Sequence, residues 1–221
     1  MNIVQIKGNK YPDEYFVKFF FKNMLQEKKN LKVLEFGCGN GSNLMLPYAY
    51  GNEVIGVDCN AQLIRDANFN FNFFKGSGFT FYTQDMRSIA KTLRNLQADL
   101  FILPSVIYYI SQEDFIVFLK NIIQNNNLNK NIPFYIRVRS TKDFRYGLGT
   151  EIAPNRYQMP IQSMTGESSA EIEFYTESEI IAILKSELNL REYKIFHLDN
   201  QNEHNGYIVL NSDIVVWGTI N

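Results

Sequence analysis

One short run, VLEFGCGNG at Val33–Gly41, constrains the fold of this chain more than any other. Its apolar residues predict a buried β-strand that carries a carboxylate at Glu35, and glycines then alternate with small residues at Gly37, Gly39 and Gly41. Glycine adopts positive φ angles at low cost and lets a ligand lie against bare backbone. The amides that begin the next helix then face that ligand. The run therefore predicts a strand, a tight turn and a helix around a nucleotide-like ligand.

The rest of the chain alternates between patterns typical of strands and of helices. The predicted strands are 32–36, 53–57, 79–83, 98–103, 132–138 and 192–198, with one bulged strand or two short ones in 206–220. The predicted helices are 13–25, 42–50, 61–71, 89–96, 113–123 and 177–188, and a turn is predicted at 75–78. This order indicates an α/β fold with a parallel sheet.

Polar residues follow the carboxyl ends of consecutive predicted strands, at Glu35–Gly41, Asp58, Asp85 and Pro104–Ser105. In a parallel sheet these ends share one edge, and ligands bind in the crevice outside it. A nicotinamide cofactor needs the spacing G-x-G-x-x-G, whereas this chain has G-x-G-x-G. The carboxylates also suit the ammonium and adenine amino groups of a sulfonium ligand better than they suit a pyrophosphate. A nicotinamide-dependent oxidoreductase remains the alternative.

Taken in order, VLEFGCGNG, VIGVD, FYTQDM and DLFILPSVIYY resemble the successive motifs of class I S-adenosylmethionine-dependent methyltransferases. The resemblance covers about residues 11–140 by motif and the remainder by element order. It implies one domain over residues 1–221, with a Rossmann-like, seven-stranded, mostly parallel sheet, helices on both faces and an antiparallel C-terminal strand. It also implies S-adenosylmethionine as the cofactor and S-adenosylhomocysteine as the product.

The resemblance implies cofactor contacts at Tyr11, Glu35, Gly37, Cys38, Gly39, Gly41, Asp58, Cys59, Asp85, Met86, Pro104 and Ser105. Glu35 and the glycine turn would bracket the methionine part, and Asp58 would hold the ribose. Asp85 with Met86 would meet the adenine, and the residues after the fourth strand would lie under the sulfonium. Residues 1–30 would form a helical cap over the cofactor.

Methyl transfer is an in-line displacement at carbon, so orientation of the acceptor is the main contribution expected of the protein. A hydroxyl acceptor also needs a general base. The candidate catalytic residues are Tyr108, Tyr109 and Asp143. His197 and His204 lie in the C-terminal strand region, where a lone histidine more often packs or faces solvent.

Arg137, Arg139 and Arg145 predict a site for an anionic acceptor, because guanidinium groups match phosphate and carboxylate oxygens. Because successive side chains of a strand point to opposite faces, Arg137 and Arg139 are expected on the same face of the predicted strand. The alternative is a solvated basic loop that pairs with Glu151 and Glu167.

Residues 140–173 show no strong period and are too long for a simple connection, which indicates an irregular substrate-binding insertion. The segment from 137 to 149 also resembles the corresponding segment of class I methyltransferases found with surface-glycan biosynthesis. That resemblance implies O-methylation of a phosphorylated or nucleotide-linked precursor of capsular polysaccharide, on a phosphate-type or a sugar oxygen. A methyltransferase-like binding protein without turnover is a further alternative.

The formal net charge of −1 and the pI of about 6.2 predict no nucleic-acid or membrane partner. The two cysteines have no zinc-site spacing, so no metal is expected. No secretory signal precedes the first helix, and its apolar cluster is too short to span a bilayer, which predicts a cytoplasmic protein. The sequence leaves the oligomeric state open.

Overall fold

The computed structural model describes residues 3–73, 76–91, 93–161 and 167–221. Four of the predicted segments extend partly outside these ranges. They are the N-terminal cap at 1–30 through residues 1–2, the turn at 75–78 through residue 75, the helix at 89–96 through residue 92, and the insertion at 140–173 through residues 162–166.

The described ranges contain ten strands. They are β1 (Lys32–Phe36), β2 (Glu53–Asp58), β3 (Phe79–Thr83), β4 (Leu100–Pro104), β5 (Ile132–Arg139), β6 (Thr150–Ala153), β7 (Arg156–Gln158), β8 (Glu171–Glu173), β9 (Arg191–His204) and β10 (Tyr207–Ile220). Seven of them form one sheet in the order β3-β2-β1-β4-β5-β10-β9. The first five strands are parallel to one another, and β10 runs antiparallel between β5 and β9. The predicted Rossmann-like, mostly parallel sheet with an antiparallel C-terminal strand is confirmed.

The C-terminal hairpin is longer than the sequence predicted. β10 is one strand over 207–220, and β9 continues six residues past the predicted end at Leu198. β5 pairs with β10 only from Asp213 to Ile220. The outer part of the hairpin, 199–212, therefore extends beyond the carboxyl end of β5, where its backbone bonds are made mostly between β9 and β10.

Within the described residues, five α-helices cover the two faces of the sheet: α1 (Glu14–Lys22), α2 (Met45–Ala49), α3 (Ala61–Asn72), α4 (Gln112–Gln124) and α5 (Glu177–Leu188). Apolar residues of α1, α2 and α3 join one buried cluster with the sheet. Those of α4 and α5 join a second cluster on the opposite face. None of the helices in the described ranges combines the length and the hydropathy needed to cross a bilayer.

The N-terminal helix belongs to the core and is not simply a cap over a ligand. Asp13 caps α1 by accepting the backbone N–H of Phe16 at 2.8 Å. Phe16, Phe19 and Phe20 are fully buried, and burial of each such side chain contributes about 1.5–3 kcal/mol. The helix ends earlier than the predicted position 25, because Met24 adopts a left-handed conformation at φ 54°.

The predicted irregular insertion contains regular structure. β6, β7 and β8 form a separate antiparallel sheet in that order. The strands have only four, three and three residues, which is too short for a clear alternating pattern in the sequence. The helix predicted at 89–96 is wrong in type and extent, because a 3₁₀ helix at Met86–Lys91 covers only its first three residues and residues 93–96 are not helical.

The capping box of α5 gives a stability prediction. The side chain of Thr176 accepts the backbone N–H of Glu179 at 3.3 Å, and the Glu179 carboxylate accepts the backbone N–H of Thr176 at 2.8 Å. We expect Thr176→Ala to lower the free energy of unfolding by about 1 kcal/mol. Urea unfolding would measure this. Ser186→Ala on the exposed face of the same helix is the control, and equal midpoints for the two variants would contradict the prediction.

Candidate active site

Three cavities meet at Ser105, immediately after β4. The glycine-loop cavity, about 520 Å³, lies over the ends of β1, β2 and β3. The N-terminal cavity, about 350 Å³, lies between the glycine loop and Asn9–Asp13. The hairpin cavity, about 240 Å³, lies between the end of β5 and the outer part of the β9–β10 hairpin. Ser105 lines all three, and it holds a left-handed backbone conformation at φ 55°.

The three glycines of the loop have different roles. A Cβ on Gly37 would overlap Val106, and one on Gly41 would lie 2.8 Å from the ring of Phe71. A Cβ on Gly39 would meet nothing within 4 Å, although its φ of 53° still disfavours a side chain. Gly37 and Gly39 both line cavities. Gly41, predicted as a cofactor contact, instead allows the packing of Phe71.

Asp58 ends β2 and helps to shape the loop. Its Oδ2 accepts the backbone N–H of Gly39 at 2.9 Å, and its Oδ1 accepts that of Asn60 at 2.8 Å. A carboxylate oxygen accepts more than one hydrogen bond. Asp58 lines the glycine-loop cavity, so it retains acceptor capacity for a pair of hydroxyl groups.

The predicted adenine contacts lie along the same cavity. Cys59, Asp85 and Met86 all line it. The Asp85 carboxylate pairs with Arg87, whose Nη2 lies 2.6 Å from Oδ2, and this hydrogen bond lowers the pKa of Asp85. The exposed Cys59 and the buried Met86 add an apolar surface beside this charged pair.

A strap of residues 6–13 closes the N-terminal cavity. The side chain of Asn40 donates to the backbone oxygens of Lys7 and Asn9 at 2.6 and 2.7 Å. Tyr11, Cys38 and Pro104, which the sequence analysis gives as cofactor contacts, line this cavity. The Cys38 thiol itself is buried, and that burial raises its pKa well above the usual value.

Glu35 is buried behind this cavity. Its Oε1 accepts a hydrogen bond from the side chain of Asn43 at 2.8 Å, while its Oε2 has no partner among the described residues. Burial raises the pKa of Glu35 to about 8, and the hydrogen bond from Asn43 opposes that shift. Asn43 lines the cavity. Glu35 thus supplies a carboxyl group whose charge depends on what binds next to it.

The structure does not support the prediction that Arg137 binds substrate. Its guanidinium donates to Asp213 at 2.5 Å and also pairs with Asp13. Arg137 therefore joins the strap, β5 and β10. It still lines the hairpin cavity on the same side as Arg139, as strand alternation predicted.

Arg139 and Arg145 share the carboxylate of Glu167. Arg139 Nη1 lies 2.8 Å from Oε1 and Arg145 Nε lies 2.5 Å from Oε2. Arg145 also pairs with Asp143 at 2.8 Å. The predicted partner Glu167 is confirmed, and the predicted solvated loop is wrong because the two arginines are only 7% and 6% exposed. The positive charge expected of this region is compensated.

The three predicted catalytic residues are held in ways that do not favour a general base. Asp143 accepts the backbone N–H groups of Arg145 and Ser212, and its side chain is 1% exposed. Burial raises the pKa of Tyr108, which keeps its hydroxyl protonated at neutral pH. Burial also raises the pKa of Tyr109, which lines the glycine-loop cavity and not the hairpin cavity.

The sequence analysis missed Asn43, which connects Glu35 to the strap, and Asn200, Asn202 and Asn211, which line the hairpin cavity. It named His204 only as a packing or surface residue, and that side chain also lines the hairpin cavity. Alternate residues of a strand share a face. The polar residues at 200, 202 and 204 would therefore have indicated one polar face, had the strand been predicted to extend that far.

The comparisons with known proteins agree with this geometry. A methyltransferase domain family matches residues 27–143. No curated protein matches the sequence of the chain. An S-adenosylmethionine-dependent methyltransferase from Methanosarcina mazei is 16% identical, with a TM-score of 0.66 over 91% of this chain and 98% of that one.

Two other solved structures have the same fold. The YcgJ protein of Bacillus subtilis is 12% identical, with a TM-score of 0.65 over 94% of this chain and 98% of that one. The magnesium protoporphyrin IX methyltransferase of Synechocystis, solved with bound S-adenosylmethionine, is 16% identical. Its TM-score is 0.53 over 92% of this chain and 76% of that one.

The family match covers more than half of the chain and includes the glycine loop, Asp58, Asp85 and Ser105. It decides against the nicotinamide-dependent alternative. The chain belongs to the methyltransferase domain family and has the fold of the class I S-adenosylmethionine-dependent methyltransferases.

Proposed function

We propose that this protein transfers a methyl group from S-adenosylmethionine to an oxygen atom of a small polar acceptor held in the hairpin cavity. The observation that carries the proposal is the position of Ser105, which lines the two cofactor-side cavities and the hairpin cavity. An acceptor in the hairpin cavity has access to a donor on the other side of that residue.

The residues around the glycine loop fit S-adenosylmethionine. Two adjoining cavities meet at the glycine loop, and Gly39 has open space where a side chain would stand. The unpartnered Oε2 of Glu35 matches a cationic amino group, and Asp58 matches the ribose hydroxyls. Bound S-adenosylmethionine supplies a methyl group activated by a positively charged sulfur.

The protein contributes orientation in this proposal. The strap and the glycine loop hold one end of the donor, and Asp58 and Asp85 hold the other. The 3₁₀ turn Ile107–Tyr109 begins two residues after Ser105, with Tyr108 on the hairpin cavity and Tyr109 on the glycine-loop cavity. Fixing two reactants at the distance and angle of in-line attack is the largest contribution available to such an enzyme.

A phosphorylated or nucleotide-linked precursor of a surface polysaccharide remains the proposed acceptor. Two observations support this acceptor. The segment from 137 to 149 resembles that of methyltransferases found with surface-glycan biosynthesis, and Arg139 and Arg145 converge on one carboxylate. That pair has the geometry to bind one carboxylate or phosphate. An anionic group of the acceptor would take the place of the Glu167 carboxylate.

Asp58→Ala tests the cofactor site. We expect the affinity for S-adenosylhomocysteine to fall at least about 100-fold, since two hydrogen bonds to a charged group contribute about 1.5–3 kcal/mol each. Calorimetry would measure it. Glu53→Ala, at the exposed opposite end of the same strand, is the control. Unchanged affinity in Asp58→Ala would contradict the site assignment.

Glu35 predicts a pH-dependent cofactor affinity. The cationic amino group favours the ionised carboxyl, so binding below the pKa of about 8 releases a proton. Affinity for S-adenosylhomocysteine should therefore rise as the pH increases from about 6 towards 8, and Glu35→Gln should remove this rise. Calorimetry in two buffers of different ionisation enthalpy counts the released proton. The same slope in both proteins would contradict the prediction.

Glu167→Gln tests the anionic acceptor. Neutralising this side chain leaves Arg139 and Arg145 with less compensation, so the affinity for UDP-glucose should rise several-fold. Glu171→Gln is the matched control, because Glu171 pairs with Arg156 outside the cavity. Equal affinities in wild type and both variants, measured by calorimetry, would argue against an anion site at these two arginines.

A further inference from the structure

The glycine-loop cavity continues past Asp58 to the loop that follows β3. The backbone N–H of Gln84 donates to the backbone oxygen of Asp58 at 2.9 Å, so the ends of β2 and β3 lie side by side. Gln84, Asp85, Met86 and Arg87 all line this part of the cavity. Because Asp58 matches the ribose hydroxyls, the base of the cofactor is expected against this loop.

The Asp85 carboxylate is already engaged by Arg87. Its Oδ1 accepts the backbone N–H of Arg87 at 2.9 Å and the Nε–H at 3.1 Å, and its Oδ2 accepts the same Nε–H at 3.1 Å and an Nη2–H at 2.6 Å. An ionised carboxylate offers about four lone-pair sites, and Arg87 takes up all of them. Asp58 differs, because two backbone N–H groups leave it capacity for a ligand. Asp85 is therefore poorly suited to accept the amino group of adenine.

The side chain of Arg87 is accessible to a ligand. It is 55% exposed, and within the described residues its side-chain hydrogen bonds use Nε and Nη2, which leaves Nη1. A guanidinium group donates to lone pairs in its plane and stacks on aromatic rings. Adenine offers ring nitrogens with lone pairs and an aromatic face. An exposed ion pair contributes little to folding stability, which favours a ligand-binding role for this arrangement.

The other side chains of this loop do not supply the same donors. The carboxamide of Gln84 already donates to the hydroxyl of Ser88 and to the backbone oxygen of Asp85. Met86 contributes apolar surface. A purine ring on such a surface still needs partners for its polar atoms. Arg87 is the only cation among the described residues that line this cavity.

We propose that the guanidinium of Arg87 binds the base of the cofactor, and that Asp85 is a positioning residue that holds Arg87 and does not itself accept the adenine amino group. This inference rests on the proposed function and goes beyond it, because Asp85 then holds its end of the cofactor through Arg87. Guanidinium donors match the ring nitrogens, which are acceptors, and not the amino group, which is a donor. The site is therefore expected to recognise the purine ring and not its 6-amino group.

The test compares two ligands by calorimetry. They are S-adenosylhomocysteine and its 6-deamino analogue, in which purine replaces adenine. Each is titrated into the wild-type protein, Arg87→Gln, Asp85→Asn and the double variant. The control is Arg65→Gln. Arg65 lies on α3, where its Nε and Nη2 donate to Gln62, and it does not line the cavity.

We expect Arg87→Gln to lower the affinity for both ligands by the same factor, at least about tenfold, because a charged donor is lost. The wild-type protein should bind the two ligands with affinities within about twofold of each other, since no group accepts from the amino group. Asp85→Asn should weaken binding in the wild-type background and change it less than about twofold in the Arg87→Gln background. A merely structural effect of Asp85 would persist in the double variant. Arg65→Gln should leave both affinities unchanged.

Three results would overturn the inference. One is an affinity for S-adenosylhomocysteine that Arg87→Gln leaves unchanged. Another is a deamino analogue that binds the wild-type protein at least about tenfold more weakly, because a site that reads the amino group rejects a ligand without it. The third is a loss in Asp85→Asn that is equally large in both backgrounds. The proposed function is judged separately, because failure of the wild-type protein to bind S-adenosylhomocysteine would contradict it whatever Arg87 does. Wild-type binding that Arg87→Gln matches would retain the function and remove this role of Arg87.

Discussion

Asp13 joins several parts of this structure at the carboxyl edge of the sheet. Its Oδ1 caps α1 and accepts the hydroxyl of Tyr135 at 2.7 Å, while its Oδ2 pairs with Arg137. Its backbone N–H donates to Asn43, which in turn donates to Glu35. One residue thus fixes the start of a core helix, closes the strap over the N-terminal cavity and positions an arginine on the hairpin cavity.

This arrangement links the two sides of the crevice. A continuous set of hydrogen bonds runs from Glu35 through Asn43 and Asp13 to Arg137 and then to Asp213 on β10. Arg137 is only partly exposed, and a charge taken out of water needs a partner, so its pairing with Asp13 and Asp213 holds the strap against the sheet. The cofactor-side cavities and the hairpin cavity keep their relative positions because they share this network.

The sequence was sufficient for the part of the fold in which local pattern and tertiary structure agree. The glycine loop, the strand ends at Asp58 and Asp85, and the cap at Thr176 each carry their signal within a few residues. The ionic pairing of Arg137 depends on Asp13 and Asp213, which are 124 and 76 residues away. No local pattern reports such contacts, and so the charge compensation could not be read from the chain.

The hairpin shows the same limit for the candidate site. The residues from 199 to 206 are rich in asparagine, which is typical of a surface turn, and the sequence analysis ended the strand before them. The backbone instead continues as an extended pair, and Asn200, Asn202 and His204 at alternate positions line the hairpin cavity. A polar stripe that lies beyond the end of the neighbouring strand has no apolar face to reveal its period. Its place on the cavity becomes visible only when the partner wall is known, because the neighbours of these residues in the chain do not show what stands across from them.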